Sequence, residues 1–320
     1  MHASTRGSAL TELLDPMPGD QPGGSVVVPD REFTVAARAQ WRTVLRRFLR
    51  HKPAVVSLVL LTLLTLWAFI FPVIWKWNFT KRDKKSLSRS PSGKHPFGTD
   101  DLGKDVMALV MRGIQRSLEV ALMTSVVALV IGIVIGAIAG YFRGFVDAVL
   151  MRFTDLVLTI PLLVIVAVVS VGVPGAPWYT VPIILGLASW TGLARIVRGE
   201  FLSLREKEFV EAARAIGVSD FRIIFRHILP NLAGPIIVVA TLAIAGAMLT
   251  ETALSFLGLG IRPPEVSLGL LINTYQAAFN TRPWLFWFPA LAIVLICLCV
   301  NFIGDGLRDA FDPKQTRVRA

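Results

Sequence analysis

The chain has 320 residues, 54% of them hydrophobic and 17% charged, with a mean hydropathy of +0.62. Soluble domains average about 25% charged residues, so this balance describes an integral membrane protein and excludes an ordinary soluble domain. The net charge of +11 is not a nucleic-acid signature, because no basic stripe is interleaved with aromatics; membrane proteins hold Lys and Arg in cytoplasmic loops.

Residues 1 to 33 carry Pro, Gly, Asp and Glu without an apolar core. They form no signal peptide, and a disordered tail is expected over 1–35. A segment over 36–100 follows, then a core over 114–309 and a second tail over 310–320. Six apolar segments approach the ~20 residues that cross hydrocarbon. The first runs from Ala54 to Trp75, opened by Pro53 and closed by Trp75 and Trp77 at an interfacial position. The second covers Leu118 to Gly140. The third covers Leu156 to Val173, after a polar turn where Arg152 and Asp155 are spaced for an i, i+3 ion pair. The fourth, Trp178 to Leu193, is short. The fifth covers Leu232 to Thr250 and the sixth Trp284 to Ile303. The expected fold is all-α, a bundle of six transmembrane helices.

Arg38, Arg42, Arg46, Arg47, Arg50 and Lys52 flank the first span, and seven basic residues lie between 195 and 231. Both termini are therefore expected in the cytoplasm. Ten basic residues between 76 and 116 run against that rule. Gly132, Gly136 and Gly140, with Ala128 one step earlier, form a small-residue stripe on the second span. Such a stripe admits a close neighbour, either within the chain or from a partner subunit. Pro161 and Pro182 are candidate kinks. Glu251, at the outer end of the fifth span, is a candidate gate residue or a water-facing one.

Gly98-x4-Gly103-Lys104-Asp105 nearly spells a phosphate-binding loop. It lacks the Ser or Thr that holds magnesium, carries Asp100, Asp101 and Asp105, and follows no apolar strand. An ATP site in this chain is excluded. Cys297 and Cys299 point in nearly opposite directions on a helix. His2, His51, His95 and His227 are scattered, so no disulfide, metal or cofactor is expected. No catalytic pairing appears, and an enzyme is not expected.

The polar loop between the fourth and fifth spans carries the most information. Residues 206–216 are amphipathic, with Lys207, Glu211 and Arg214 on one face and Phe209, Ala212, Ala213 and Ile216 on the other. Gly217 occupies a left-handed C-terminal position. Ser219 follows as an N-cap with Asp220 in the first turn, and a second helix through Phe221, Ile224 and Phe225 should stop at Pro230. Such a loop either docks a partner or rests on the membrane.

Glu211-Ala212-Ala213, Gly217 and Leu229-Pro230 resemble the EAA motif of permease subunits in bacterial ATP-binding-cassette (ABC) importers. Three further stretches are similar to the C-type permease of the dipeptide, oligopeptide and nickel branch: His95 to Asp105, Leu254 to Pro264, and Asn301 to Asp309 with Asp312-Pro313. The resemblance spans about residues 40 to 315. It departs at His227, usually apolar, and at Leu268, usually Trp. It implies a type I ABC importer permease fold in a bacterial inner membrane, with the permease core over 114–309 and a coupling loop over 206–230. The coupling residues it implies are Glu211, Ala212, Ala213, Arg214, Gly217, Ser219, Asp220, Leu229 and Pro230. The implied partners are a second permease, two ATP-binding subunits that hydrolyse ATP, an extracytoplasmic solute-binding protein and membrane lipid. Peptide is the implied substrate, with nickel as the alternative. An ion-coupled carrier is the competing class, but such carriers show internal repeats around midplane charges, and neither is evident here.

Overall fold

Inside hydrocarbon a long apolar run satisfies its backbone only by coiling on itself. The chain, seen in a computed structural model that describes residues 37–172 and 176–311, has helices as its regular elements in that range, joined by loops that include 75–105 and 257–267, with isolated β-bridges at Arg82–Lys104 and Thr99–Asp105. Helix α1 is Ala37–Arg50, α2 Lys52–Ile74, α3 Val106–Phe142, α4 Gly144–Thr159, α5 Leu162–Gly172 and α6 Thr180–Arg205. Helix α7 is Glu208–Ala215, α8 the short Asp220–Arg222, α9 Ala233–Phe256, α10 Leu268–Tyr275 and α11 Trp284–Phe311. Among the described residues five helices are long and apolar enough to cross a membrane, and six spans result when the bent pair α4–α5 counts as one. The all-α architecture is the expected one; several boundaries differ.

The expected tail over 1–35, residue Val173 and the Asp312-Pro313 match lie outside the described residues. Ala310 and Phe311, expected to start a tail, still belong to α11, where Ala310 is buried with Phe48 and Ala54. The first span starts where expected: Pro53 sits in the first turn, and His51 Nδ1 accepts from the Ala54 N–H at 3.2 Å. Trp77, expected at the membrane interface, is buried against His95, with ring centroids 4.8 Å apart. The ammonium groups of Lys76, Lys81 and Lys94 lie 5.1–5.7 Å from its ring.

Helix α3 starts at Val106 rather than near Leu118. Asp105 caps it, accepting from the Ala108 N–H at 3.0 Å. Arg112 and Arg116 lower the hydropathy of this turn, but the fold pairs both with Glu265 at 3.0 and 2.8 Å, and Arg116 lies 3.9 Å from the Trp178 ring centroid. Burial works to raise the Glu265 pKa, yet the two guanidinium groups outweigh it and the carboxyl titrates below its ordinary value. A depressed folded pKa means stability present above the ordinary glutamate range and lost as pH falls through the folded value. The stability gap between wild type and Glu265→Gln is therefore expected to close on acidification from pH 7 to pH 3. Thermal melts across that range check it, and a gap that widens at low pH contradicts the assignment.

The third span is bent by 72° between α4 and α5. Pro161 offers no N–H and forces Ile160 into extended backbone (φ −87°, ψ 117°). Pro182 makes no kink, because it falls in the first turn of α6, where proline is tolerated. Asp155 pairs with Arg195 of α6 at 2.5 Å rather than with Arg152, and Asp147 takes Arg198 through two bonds of 2.5 and 2.7 Å. These two charge pairs clamp α4 to α6.

The glycine stripe packs inside the chain. A Cβ at Gly132 would meet Leu193 Cβ at 2.7 Å, one at Gly136 the Ala194 carbonyl oxygen at 2.5 Å, and one at Gly140 Phe201 Cβ at 2.6 Å. Helices α3 and α6 thus run backbone to backbone, as small-residue stripes allow.

Candidate functional site

Helix α7 ends at Gly217, whose φ of +78° suits glycine. The Val218 N–H donates to Ala213 O at 3.0 Å and the Gly217 N–H to Arg214 O at 2.9 Å, the paired bonds of a Schellman cap. Ser219 has N-cap backbone geometry, but its hydroxyl makes no capping bond. Asp220 occupies the first turn and accepts from the Tyr141 hydroxyl at 2.5 Å.

The second loop helix does not stop at Pro230. It runs from α8 through a π-turn, Ile223–Ile228, and a 3-10 turn, Leu229–Leu232, into α9. Proline lacks the N–H for the carbonyl four residues back and crowds it. Widening the helix before Pro230 and tightening it after lets one continuous rod pass through. The second half of the loop is therefore the stem of the fifth span.

The buried face of α7 also differs from the expected one. Val210 and Ala213 are buried, while Phe209, Ala212 and Ile216 are exposed. The reason is the floor beneath: Tyr141 of α3, Val197 and Phe201 of α6, and Ile223, Ile224 and Ile228 of the stem. Arg214 turns back onto this floor, 5.2 Å from the Tyr141 ring centroid. Arg205 lies 5.7 Å from the same ring and donates to the Tyr141 carbonyl. Arg214 is thus an anchor, and Glu211 and Ala212 remain on the exposed surface. Phe209, Phe225, Ile216 (80% exposed) and Phe221 (71% exposed) of the same loop are exposed as well, with the Phe221 and Phe225 rings 4.4 Å apart. These four escaped the motif reading; their signal is three Phe and one Ile in a polar loop. His227 and Leu229 are half-buried and Pro230 exposed, while Ile228 fills the core. A polar His227 therefore displaces no core side chain.

At the opposite end of the bundle the His95–Asp105 stretch forms a cap. His95 lies buried between Asp105, at 2.9 Å, and Asp83, at 3.4 Å. The Trp75 indole N–H donates to Asp105 at 3.0 Å. The Lys94 ammonium holds the Asp83 carboxyl well below the usual carboxylate range. Asp100 Oδ1 accepts from the backbone N–H groups of Leu102 and Lys104 at 2.9 and 2.7 Å, so amides that a phosphate would need are taken by the loop's own carboxylate. Asp100 Oδ2 accepts from the Tyr275 hydroxyl at 3.0 Å, and burial, then the Asp100 charge, pushes that phenol far up.

Glu251 neither faces water nor stands open at a gate. It is fully buried, accepting from Ser255 at 2.7 Å and Ser117 at 3.3 Å. Ser255 in turn accepts from the Ile261 N–H at 3.2 Å, and Ser117 from the Leu268 N–H at 3.2 Å. The Leu254–Pro264 stretch is thereby clipped to α3 and α10. Leu268 is fully buried against Gly113, so the smaller side chain at this position is part of the packing.

Residues 132–317 match the family described as binding-protein-dependent transport system inner membrane component, and residues 39–91 match the N-terminal transmembrane domain of oligopeptide transport permease C. The chain belongs to this permease family. Relatives of the permease include the oligopeptide transport system permease protein OppC of Mycobacterium tuberculosis (strain H37Rv), 43% identical over 278 residues, covering 86% of this chain and 95% of the relative. OppC of Escherichia coli (strain K12) is 41% identical over 286 residues, covering 89% and 94%. Among solved structures, the MetNI methionine ABC transporter in inward facing conformations contains a chain of similar fold, with a TM-score of 0.53 and 18% identity, over 64% of this permease and 97% of that chain. The fold is that of a type I ABC importer permease.

Proposed function

We propose that this permease forms, with a second permease, the membrane pathway of an ATP-driven importer of peptides. It works through the 206–230 loop. The carrying observation is an exposed apolar patch, Phe209, Ile216, Phe221 and Phe225, on a loop bolted to three spans through Tyr141, Phe201 and Ile228. Exposed aromatic anchors on a rigid support are what a partner groove requires. The stem continues unbroken into α9, so displacement at the patch is carried into the bundle without a hinge.

In this reading two ATPase subunits grip the loop in the cytoplasm, with both termini on that side of a bacterial inner membrane, and ATP is hydrolysed on those subunits alone. A solute-binding protein delivers substrate to the opposite end, around the His95–Asp105 cap. Peptide rather than nickel follows from the oligopeptide permeases among the relatives.

The test is reconstitution with the second permease, the ATPases and the binding protein in liposomes. Wild type is expected to import an oligopeptide only with ATP. Glu211→Lys is expected to insert normally but to lose ATPase association and uptake by roughly 100-fold, the range of a disrupted interface hot spot. Normal uptake by the variant refutes the coupling role, and peptide uptake by the permease without ATPases refutes the importer.

A further inference from the structure

We infer that helix α1 lies along the membrane surface and holds anionic phospholipid headgroups on Arg42, Arg46 and Arg50. The inference goes beyond the import reading and stands without it. Helix α1 is rich in arginine and has no acidic residue. Arg42, Arg46 and Arg50 recur every four residues, which places them on one face. All three are exposed, and with Thr43 and Arg47 they line a shallow hollow of about 340 Å³. Like charges at this spacing repel and weaken a helix. Among the described residues no carboxylate pairs with any of the three; Asp309 of α11 faces His51 instead, at 3.6 Å. An anion over this face removes the repulsion.

The apolar side of α1 says where that anion comes from. Phe48 and Val44 pack with Ala54 of α2 and with Ile303, Leu307 and Ala310 of α11. A Cβ at Gly306 would meet the Phe48 ring at 3.3 Å. This close contact fixes the rotation of α1 about its axis. Leu45 and Leu49, 58% and 57% exposed, then fall between the packed stripe and the arginines. The corner is fixed as well: the His51 N–H donates to Phe48 O at 3.0 Å, and the His51 ring caps α2. Only His51 separates α1 from the span that begins at Lys52, so the bare leucines and the arginines stay at the bilayer surface. Bare apolar residues beside a basic stripe are what an interfacial helix presents to acyl chains and anionic headgroups. A soluble phosphate would engage the arginines and leave the leucines in water.

The test uses the full chain in detergent, followed by native mass spectrometry with phosphatidylglycerol, which is anionic, or phosphatidylcholine, which has no net charge. Wild type is expected to retain phosphatidylglycerol in preference. Arg42→Gln with Arg46→Gln is expected to weaken that retention roughly 25-fold, about fivefold for each basic residue at an anionic surface. Lys84→Gln with Lys85→Gln removes the same charge from an exposed loop elsewhere and is expected to leave retention unchanged. In bilayers, a fluorophore on Leu45→Cys, with Cys297 and Cys299 replaced by Ala, is expected to be quenched by lipids spin-labelled near the headgroup end of the acyl chain. Equal retention of phosphatidylglycerol by wild type and the arginine variant overturns the inference, whatever the variant does to ATPase association. An unquenched fluorophore, or displacement of phosphatidylglycerol by an equal concentration of inorganic phosphate, overturns it too.

Discussion

Ile216→Asp and Phe221→Asp are each expected to weaken ATPase association by roughly 30- to 1,000-fold, the equivalent of about 2–4 kcal/mol for an apolar anchor at an interface centre. Neither variant should unfold the loop. Both side chains are mostly exposed, and the core beneath them, Val210, Ala213 and Ile228, is untouched. Exposed substitutions of this kind usually change stability by about 0.5 kcal/mol or less. Co-purification of the tagged permease with its ATPases reads the loss, and a thermal melt of the permease alone shows that the fold survives. Full retention of the ATPases by both variants would remove the patch from the interface. The contrast with Glu211→Lys is informative, because a reversed charge adds a salt dependence to the loss that the apolar anchors do not.

Gly136→Val is expected to be the most damaging single change within the bundle. Its first side-chain carbon would lie 2.5 Å from the Ala194 carbonyl oxygen and 2.8 Å from Val197 Cβ. Backbone cannot rotate out of the way as a side chain does, so α3 and α6 must separate. Overpacking that side chains absorb costs about 1–3 kcal/mol; helix separation costs at least that and removes the floor on which α7 sits. The variant is expected to give a large fall in melting temperature in detergent together with loss of ATPase association. Gly192→Ala is the control, since nothing lies within 4 Å of a Cβ there, and alanine favours the helix by up to about 1 kcal/mol. Equal behaviour of the two variants would show that the stripe does not carry the packing.

Much of the fold was legible because the bilayer imposes it. A span needs a fixed length of apolar residues, and Ala54–Trp75 and Trp284–Ile303 announce theirs. Two of the missed boundaries, at α3 and α6, share one cause. Arg112 and Arg116 look like loop residues until Glu265 and Trp178, far along the chain, neutralise and cover them. Arg195 and Arg198 likewise extend the fourth span because Asp155 and Asp147 meet them. Pairing across the fold is invisible to a hydropathy window.

The loop divides in the same way. Its glycine turn, the first-turn Asp220 and the EAA signature are local, and the structure keeps the turn and the acidic first turn as read. Which face of α7 is buried is not local, since two faces carry apolar residues and the floor built by Tyr141, Phe201 and Ile228 selects Val210 and Ala213. Pro230 reads as a stop, yet a π-turn absorbs it because the stem is packed along its length.

What the sequence by itself determined is the class of molecule, the approximate spans and the amphipathic polar loop between the fourth and fifth of them. All of these follow from composition, period and spacing within short windows. Tertiary structure alone decided that the glycine stripe meets α6, that Glu251 is a buried clip, and that Phe221 and Ile216 are presented outward. The physical reason is that burial and pairing belong to two surfaces at once, and a sequence window contains only one of them.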